Sequence, residues 1–394
     1  MNKVIQPYLT TLTPLRGIAA MLIVIYHCNG FLVKFIPPGS TFFFTNTYLW
    51  VDFFFILSGF VMSYVYGNNF TKKVDRTSFK NFIGARFARI YPLYLFTLCW
   101  GAIAAAAILK LANRLDPAPA ALFNLKAIPA CLILVQGLHL YIVAPLNGVA
   151  WSLSTEWWVY FIFPFLAPLL TIYRTFLKIG TAVALLVAYL LVMYLLGPIA
   201  APVYNGIPKL DITVDYGIVR CFIGFLTGMF LFILYQAQTG KSMLANDWFF
   251  ITILCCIFVS SHLGFNDVFI VFLMSLLLLS AAYNTTRVKK VLDMRVFQRL
   301  GDWSFSIYMV HGLVITIFIL LFLSKNPDML YNMDASANEP PQYKVGLIMA
   351  VIALLLTLVI SALTYRFIEL PGRNFLNQVL KTQRKKLQTQ SFKV

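Results

Sequence analysis

Long runs of hydrophobic residues, separated by short polar segments, recur along the whole chain. Each run is close to the ~20 residues that an α-helix needs to cross a bilayer. Only helices and closed barrels satisfy their backbone polar groups in lipid, so the pattern predicts an all-α polytopic membrane helical bundle. We predict ten spans, at 12–33, 47–66, 90–112, 149–172, 178–200, 214–236, 248–263, 264–283, 300–323 and 344–368.

One further hydrophobic segment, 126–144, is interrupted by proline, glycine and polar residues. Cytoplasmic loops of membrane proteins carry an excess of lysine and arginine. With a cytoplasmic N-terminus and no crossing at 126–144, 22 of these residues lie inside and 6 outside. A crossing there would turn the basic loop 284–299 outward. We therefore expect both termini to be cytoplasmic and 126–144 to be a re-entrant or interfacial segment on the outer side.

Composition supports this assignment and excludes several other classes of protein. Hydrophobic residues make up 60% of the chain and charged residues 11%, whereas a soluble domain carries about 25% charged residues. Cytosolic enzymes, disulfide scaffolds, coiled coils and disordered proteins are therefore excluded. The net charge of +17 is concentrated in a few loops, which membrane topology explains without a nucleic acid partner. The six cysteines lack metal-ligand spacing, so we expect no metal site.

The chain is expected to form one membrane-embedded domain, 1–373, followed by a basic cytoplasmic tail, 374–394. We expect membrane lipids to surround the bundle. The oligomeric state is not fixed by the sequence, because helix faces that contact another subunit resemble faces that contact lipid.

Two ionisable residues in the first span are candidates for function, because charged groups inside a bilayer are costly. Arg16 and His27 are eleven residues apart, which is three helical turns plus about 20°. They therefore share one helix face, separated by about 16 Å, and we expect both to face the same cavity. The alternatives are a topology anchor for Arg16, whose long side chain reaches the membrane surface, and a structural role for His27.

Small and basic residues near the cytoplasmic side suggest a ligand site. Ser58 and Gly59 permit a close backbone approach, either of another helix or of a thin ligand. Arg86 and Arg89, three residues apart, share a face at the cytoplasmic rim. Guanidinium groups bind phosphate through paired hydrogen bonds, so this pair suits a phosphate-bearing ligand, although a topology anchor would look the same.

Further polar residues occur inside the fourth and ninth predicted spans. Glu156 is one of three glutamates in the chain, and a buried carboxylate needs a partner, for which we expect a histidine. Ser304, Tyr308 and His311 form a polar stripe on one helix face, as is typical of a cavity wall. We expect Asp52, Trp151 and Ser152 to lie near the outer side, where Asp52 could also be a surface carboxylate.

Six short motifs, taken together, resemble the membrane domain of acyltransferase family 3. They are LRGIAA at 15–20 with His27, FILSGFV at 55–61, RFARIYP at 86–92, WSLSTE at 151–156, LGDWSFSIY at 300–308 with His311, and YRFIELPGR at 365–373. The motifs run in order along nearly the whole chain. The family's arginine–ten residues–histidine pattern corresponds to Arg16 and His27.

This resemblance implies a multi-pass acyl-CoA-dependent O-acyltransferase of the bacterial inner membrane. Such enzymes typically acetylate surface or extracellular carbohydrates, among them lipopolysaccharide O-antigen. The co-substrate would be acetyl-CoA or another acyl-CoA, with no tightly bound cofactor. The sequence identifies neither the acyl group nor the acceptor sugar, and it leaves open whether transfer is direct or uses a partner protein.

The resemblance leads to a mechanistic hypothesis. Arg16, Arg86 and Arg89 would bind the phosphates of acyl-CoA, and the pantetheine arm would pass Ser58 and Gly59. His27 would act as a general base or form a transient acyl intermediate.

In this hypothesis Glu156 would orient His27. The acceptor would enter beside Trp151, Asp52 and the 126–144 segment, in a cavity that Ser152, Ser304, Tyr308 and His311 also line. The competing hypothesis is a transporter or flippase for a lipid-linked glycan, in which arginine, histidine and glutamate form a proton relay.

Overall fold

The computed structural model describes residues 8–32, 35–37, 39–111, 121–171, 174–200, 208–324 and 343–391. Within these ranges the secondary structure is helical and contains no β-strand. Among the described residues, eight helices are long and apolar enough to cross a membrane, and Asp247–Leu263 and Asp267–Tyr283 are shorter apolar helices of 17 residues each. Each of these ten helices overlaps one of the ten predicted spans, so the prediction of an all-α polytopic bundle is confirmed.

The ten apolar helices follow one another along the chain. They are α1 Leu12–Phe31, α2 Trp50–Tyr66, α3 Arg76–Leu111, α4 Trp151–Leu166, α5 Thr175–Leu191, α6 Gly217–Gln236, α7 Asp247–Leu263, α8 Asp267–Tyr283, α9 Ser304–Leu323 and α10 Tyr343–Thr364. A last helix, α11, spans Leu370–Ser391 and follows a π-helical turn at Tyr365–Glu369. Shorter helices lie at Phe43–Asn46, Ile128–Leu132, Gly197–Ala200, Lys241–Leu244, Arg287–Leu292 and Arg295–Asp302.

Helix α3 begins well before the span that its hydrophobicity predicts. It starts at Arg76 rather than at residue 90 and contains 36 residues, which is about 54 Å of helix. Its first part, before residue 90, carries one lysine and three arginines, and hydropathy alone cannot distinguish such a polar helical stretch from a loop. This extension places Arg86 and Arg89 on a regular helix within the bundle.

The segment 126–144 does not cross the bundle. It contains the end of a 3-10 helical turn, Leu125–Ala127, and the short helix Ile128–Leu132, followed by turns. The backbone N–H of Leu146 donates to the carbonyl of Leu122 at 2.7 Å, so the two ends of the segment lie next to each other. Non-helical backbone at membrane depth requires protein partners. The hydroxyl of Tyr94 in α3 supplies one, donating to the Cys131 carbonyl at 2.6 Å.

The bundle has one end that carries the basic loops, called here the basic end. The start of α1 packs against the loop that precedes α9. Lys289 Nζ donates to Thr10 Oγ1 at 2.6 Å, and Gln298 Nε2 donates to the Thr10 carbonyl at 3.0 Å. The positive-inside rule assigns this end to the cytoplasm. The other end, where α1 finishes and 126–144 folds back, is called the opposite end.

Helices α2 and α6 cross with their backbones in direct contact. A Cβ atom at Gly59 would lie 2.0 Å from the carbonyl oxygen of Phe225, and one at Gly228 would lie 1.9 Å from that of Ile56. Small residues at a helix crossing allow membrane helices to pack this closely. Gly59 is therefore used for helix packing, and it is not among the residues that line the cavity beside Ser58.

This close approach predicts that Gly228→Ala destabilises the protein. Overpacking costs about 1–3 kcal/mol or more, and here the obstacle is backbone, which cannot rotate away. We expect a lower midpoint of thermal unfolding for the detergent-solubilised variant. The matched control is Gly180→Ala in α5, where no atom lies within 4 Å of the new methyl group. Equal midpoints for the two variants would contradict the α2–α6 geometry.

Candidate functional site

A cavity of about 170 Å³ opens among α1, α2, α3, α4 and α9 toward the basic end. Three arginines line it, one from α1 and two from α3. The other polar lining residues come from α2, α4 and α9. The full polar lining is Arg16, Ser58, Arg86, Arg89, Ser152, Glu156, Tyr160, Ser304 and Tyr308.

The partners of the three arginines leave some of their hydrogen-bonding capacity unused. Arg86 Nη2 donates to the Tyr66 hydroxyl at 2.9 Å, and Arg89 forms an ion pair with Glu369. The Nε atoms of Arg16 and Arg86 are buried and have no hydrogen-bond partner among the described residues. A buried unsatisfied donor is costly, so the cavity is suited to a ligand that supplies acceptors there.

A carboxylate and two hydroxyls form a small polar group on the wall of this cavity. The Tyr160 hydroxyl donates to Glu156 Oε1 at 2.6 Å. Ser58 Oγ lies 3.2 Å from the same tyrosine hydroxyl. The group connects α2 to α4, and its members are hydrogen-bonded to one another.

A second cavity, of about 380 Å³, opens toward the opposite end. It is more than twice as large as the first and is lined by aromatic and polar side chains. Those relevant to chemistry are Tyr26, His27, Tyr48, Trp151, Asp211, Thr213, Arg220 and Tyr308. Such a lining provides flat apolar surfaces together with hydrogen-bonding groups, as is typical of sites for small polar ligands.

His27 contacts a second histidine rather than a carboxylate. Its Nδ1 lies 3.0 Å from the carbonyl oxygen of Ile23 and 3.3 Å from Nε2 of His311. His311 is completely buried and lies behind His27, outside the cavity lining. The two rings have centroids 4.9 Å apart and are inclined at 51°.

A buried ion pair supports the wall of the second cavity. Arg220 donates to both carboxylate oxygens of Asp52, at 2.9 Å from Nε and 2.6 Å from Nη2, and to the carbonyl of Ile212 at 3.0 Å. Its guanidinium lies over the rings of Tyr48 and Trp151, at 5.2 and 5.7 Å. The pair therefore holds the aromatic wall in place.

The two cavities meet at a thin partition formed by Val51 and Tyr308, which line both. The Tyr308 hydroxyl donates to the carbonyl of Val149 at 3.0 Å and lies 2.6 Å from Ser152 Oγ. Val51 and Tyr308 therefore separate the cavity toward the basic end from the cavity toward the opposite end.

Sequence comparison with known families decides the class of protein. The family described as "Acyltransferase domain" (acyltransferase family 3) matches residues 12–366, which is nearly the whole chain. The chain belongs to acyltransferase family 3. It is therefore a multi-pass membrane acyltransferase, with an acyl donor and an acceptor as substrates, and the resemblance inferred from the motifs is confirmed.

Two curated relatives are similar to this acyltransferase. "Protein 2 in picA locus" from Rhizobium radiobacter is 35% identical over 157 residues, covering 36% of this chain and 73% of the relative. "Acyltransferase MdmB" from Streptomyces mycarofaciens is 28% identical over 293 residues, covering 67% of each chain. No solved structure matches the chain.

The structure of this acyltransferase separates two residues that were expected to share a cavity. Arg16 lines the cavity at the basic end, whereas His27 lines the cavity at the opposite end. Their spacing of eleven residues places both side chains on one face of α1. It does not determine which cavity each one enters, because the partition at Tyr308 lies between them.

Three further expectations require correction. Glu156 does not contact His27, because it lies in the other cavity and accepts a hydrogen bond from Tyr160. Asp52 is neither a surface carboxylate nor a cavity-lining residue, because Arg220 holds it completely buried. His311 is part of the predicted polar stripe but lies behind the cavity wall.

The remaining predicted residues of the acyltransferase lie at the two cavities. Ser58, Arg86, Arg89, Ser152, Ser304 and Tyr308 line the cavity at the basic end, and Trp151 lines the cavity at the opposite end. Sequence reasoning did not find Arg220, although an arginine among apolar residues is itself a signal. It also did not assign a role to Glu369, which binds Arg89 and accepts from Ser306 Oγ at 2.7 Å.

Proposed function

We propose that the protein transfers an acyl group, most simply acetyl, from acyl-CoA at the basic end to a carbohydrate hydroxyl at the opposite end. The observation that carries this proposal is the pair of cavities meeting at Tyr308. A cationic cavity on the cytoplasmic side suits a phosphate-bearing donor. A larger aromatic and polar cavity on the other side suits a polyhydroxylated acceptor.

The donor site is supported by three arginines and by their unsatisfied donors. The Nε atoms of Arg16 and Arg86 are buried without a hydrogen-bond partner in the part of the chain that the structure describes, and phosphate oxygens are strong acceptors for guanidinium groups. Acyl-CoA carries a 3′-phosphate and a diphosphate. The pantetheine arm would then extend past Ser58 toward the partition, presenting the thioester to the second cavity.

The acceptor site is supported by the position of His27. An imidazole in the second cavity can accept the proton of a hydroxyl group that attacks the thioester. The new C–O bond forms at the thioester carbonyl, the C–S bond breaks, and the proton passes from the imidazole to the sulfur to give CoA. Trp151 and Asp211 line the same cavity and would contact the sugar.

The cellular setting of this reaction is part of the proposal. Under the positive-inside rule the basic end faces the cytoplasm, where acyl-CoA is made, which supports the cavity at this end as the donor site. The two relatives are from bacteria. We propose the bacterial inner membrane as the location, and an envelope carbohydrate such as lipopolysaccharide O-antigen as the class of acceptor.

The donor site predicts that Arg86→Gln raises the KM for acetyl-CoA by about tenfold or more, because a charge-assisted hydrogen bond contributes about 1.5–3 kcal/mol. The matched control is Lys80→Gln, the same change of charge at an exposed position of α3 outside the cavity. The measurement is release of CoA thiol and transfer of labelled acetyl by purified protein in nanodiscs. Equal KM values for the two variants would remove Arg86 from the donor site. Failure of the wild type to bind acetyl-CoA would show that acetyl-CoA is not the donor.

A further inference from the structure

The proposed acyl transfer assigns no role to the contact between His27 and His311. His311 is completely buried in α9, and its Nε2 lies 3.3 Å from Nδ1 of His27. A neutral imidazole can carry its hydrogen on either ring nitrogen, and its hydrogen-bond partners decide which. In this structure two backbone carbonyls do so.

The carbonyl oxygens determine which nitrogen of each ring carries the proton. Nδ1 of His27 lies 3.0 Å from the Ile23 carbonyl, and Nδ1 of His311 lies 3.2 Å from the Ile307 carbonyl. A carbonyl oxygen can only accept, so both Nδ1 atoms carry hydrogen. A neutral imidazole has one N–H, which leaves the lone pair of each ring on Nε2.

This assignment gives the contact between the rings a direction. The Nδ1–H of His27 is shared between the Ile23 carbonyl and Nε2 of His311, which accepts. The arrangement resembles the one in which a carboxylate orients a catalytic histidine, except that the orienting group is a second, neutral imidazole. The lone pair on Nε2 of His27 is the one that a general base requires.

We propose that His311 is a positioning residue that fixes His27 in the tautomer whose Nε2 accepts the proton of the acceptor hydroxyl. This inference rests on the proposed function. During transfer the hydroxyl proton moves to Nε2 of His27 while the oxygen bonds to the thioester carbonyl carbon. When the C–S bond breaks, the proton passes to the CoA sulfur. Throughout, Nδ1–H continues to donate to His311 and the Ile23 carbonyl.

Other ionisable groups face the same region and must be held constant in any pH experiment. They come from the α1 helix itself, the turn before α2, the segment before α6, α6 and α9. They are Tyr26, Tyr48, Asp211, Arg220 and Tyr308. Substitutions at position 311 leave all five groups in the protein, but the Tyr308 ring packs against His311 with centroids 5.7 Å apart. A shift in the pH profile is therefore assigned to the contact with His27 only when it also occurs in a Tyr308→Phe background.

Three substitutions at position 311 test the role of its acceptor. His311→Phe keeps a ring of similar size but removes the acceptor, and we expect kcat to fall by about 10- to 100-fold, the loss found when the hydrogen-bond partner of a metal-ligating histidine is removed. His311→Gln can return an amide oxygen to the place of Nε2 and should recover most of kcat. His311→Glu places an anion there, which favours the imidazolium form of His27. It should therefore move the acidic limb of the pH profile of kcat/KM upward by about one pH unit or more.

The acetyl-CoA dissociation constant should stay unchanged in all three variants, because the donor lies in the other cavity. The inference is overturned if His311→Phe has the kcat of the wild type, or if the acidic limb for His311→Glu stays at its wild-type position. If His311→Phe does not fold, the glutamine and glutamate variants decide. A fully active His27→Gln variant would instead show that His27 is not the base, whereas absence of acyl transfer by the wild type would show that the proposed function is wrong.

Discussion

Replacing His27 with glutamine is expected to lower the turnover of acyl transfer by about 10²- to 10⁴-fold, the usual contribution of a positioned general base. Glutamine is close in size and can hydrogen-bond, but it cannot accept a proton at neutral pH. Binding of acetyl-CoA should be retained, because His27 lines the cavity at the opposite end and the three arginines line the other. The measurement pairs single-turnover transfer with equilibrium binding of a non-reactive acyl-CoA analogue.

The control for this prediction is His262→Gln. His262 also lies toward the opposite end, but it is exposed and its Nδ1 lies 2.8 Å from Thr41 Oγ1, away from either cavity. We expect wild-type turnover for this control. Wild-type turnover in His27→Gln as well would remove the imidazole from the chemistry, and a loss of acetyl-CoA binding would place His27 in the donor site instead.

Removing the carboxylate of Asp52 is expected to destabilise the folded protein by about 3–5 kcal/mol. Arg220 would then remain buried without its bidentate partner, with Asp211 at 3.9 Å as the nearest remaining carboxylate. Breaking one side of a buried pair is costly because the other charge stays desolvated. The measurement is the free energy of unfolding of Asp52→Ala in detergent micelles.

The matched control is Asp293→Ala, which breaks the partly exposed pair between Lys289 and Asp293 at the basic end. Pairs of this kind, four residues apart on a surface, contribute about 0.3–0.5 kcal/mol. We expect the two variants to differ clearly in stability. Equal losses would show that the Asp52–Arg220 contact carries no more weight than a surface pair.

The hydrophobic pattern was sufficient to predict the helices, because lipid requires long apolar runs whatever their neighbours are. The positions of all ten spans and the non-crossing segment 126–144 follow from that requirement and from the distribution of charge. The pattern was insufficient at α3, where a basic stretch continues the helix from Arg76. Polar residues can extend a helix beyond the membrane, and hydropathy has no signal for that.

The partners of the candidate site residues were harder to predict than the residues themselves. The sequence marks Glu156 and His27 as costly in a membrane, but it does not say that Tyr160 and His311 are their neighbours. Those contacts depend on how α1, α2, α4 and α9 are rotated about their axes. Gly59 illustrates the same limit, because a small residue suits a ligand and a helix crossing equally well.

The most direct test of the central claim is a transfer assay with the two substrates on opposite sides of a membrane. The purified protein is inserted into vesicles, and its orientation is read from protease cleavage of the tail 374–394. Labelled acetyl-CoA is supplied on the side of the basic end and the carbohydrate acceptor on the other. We expect the label on the acceptor across the membrane, with CoA released on the donor side. Transfer only when both substrates share one side, or passage of unmodified glycan, would contradict the account.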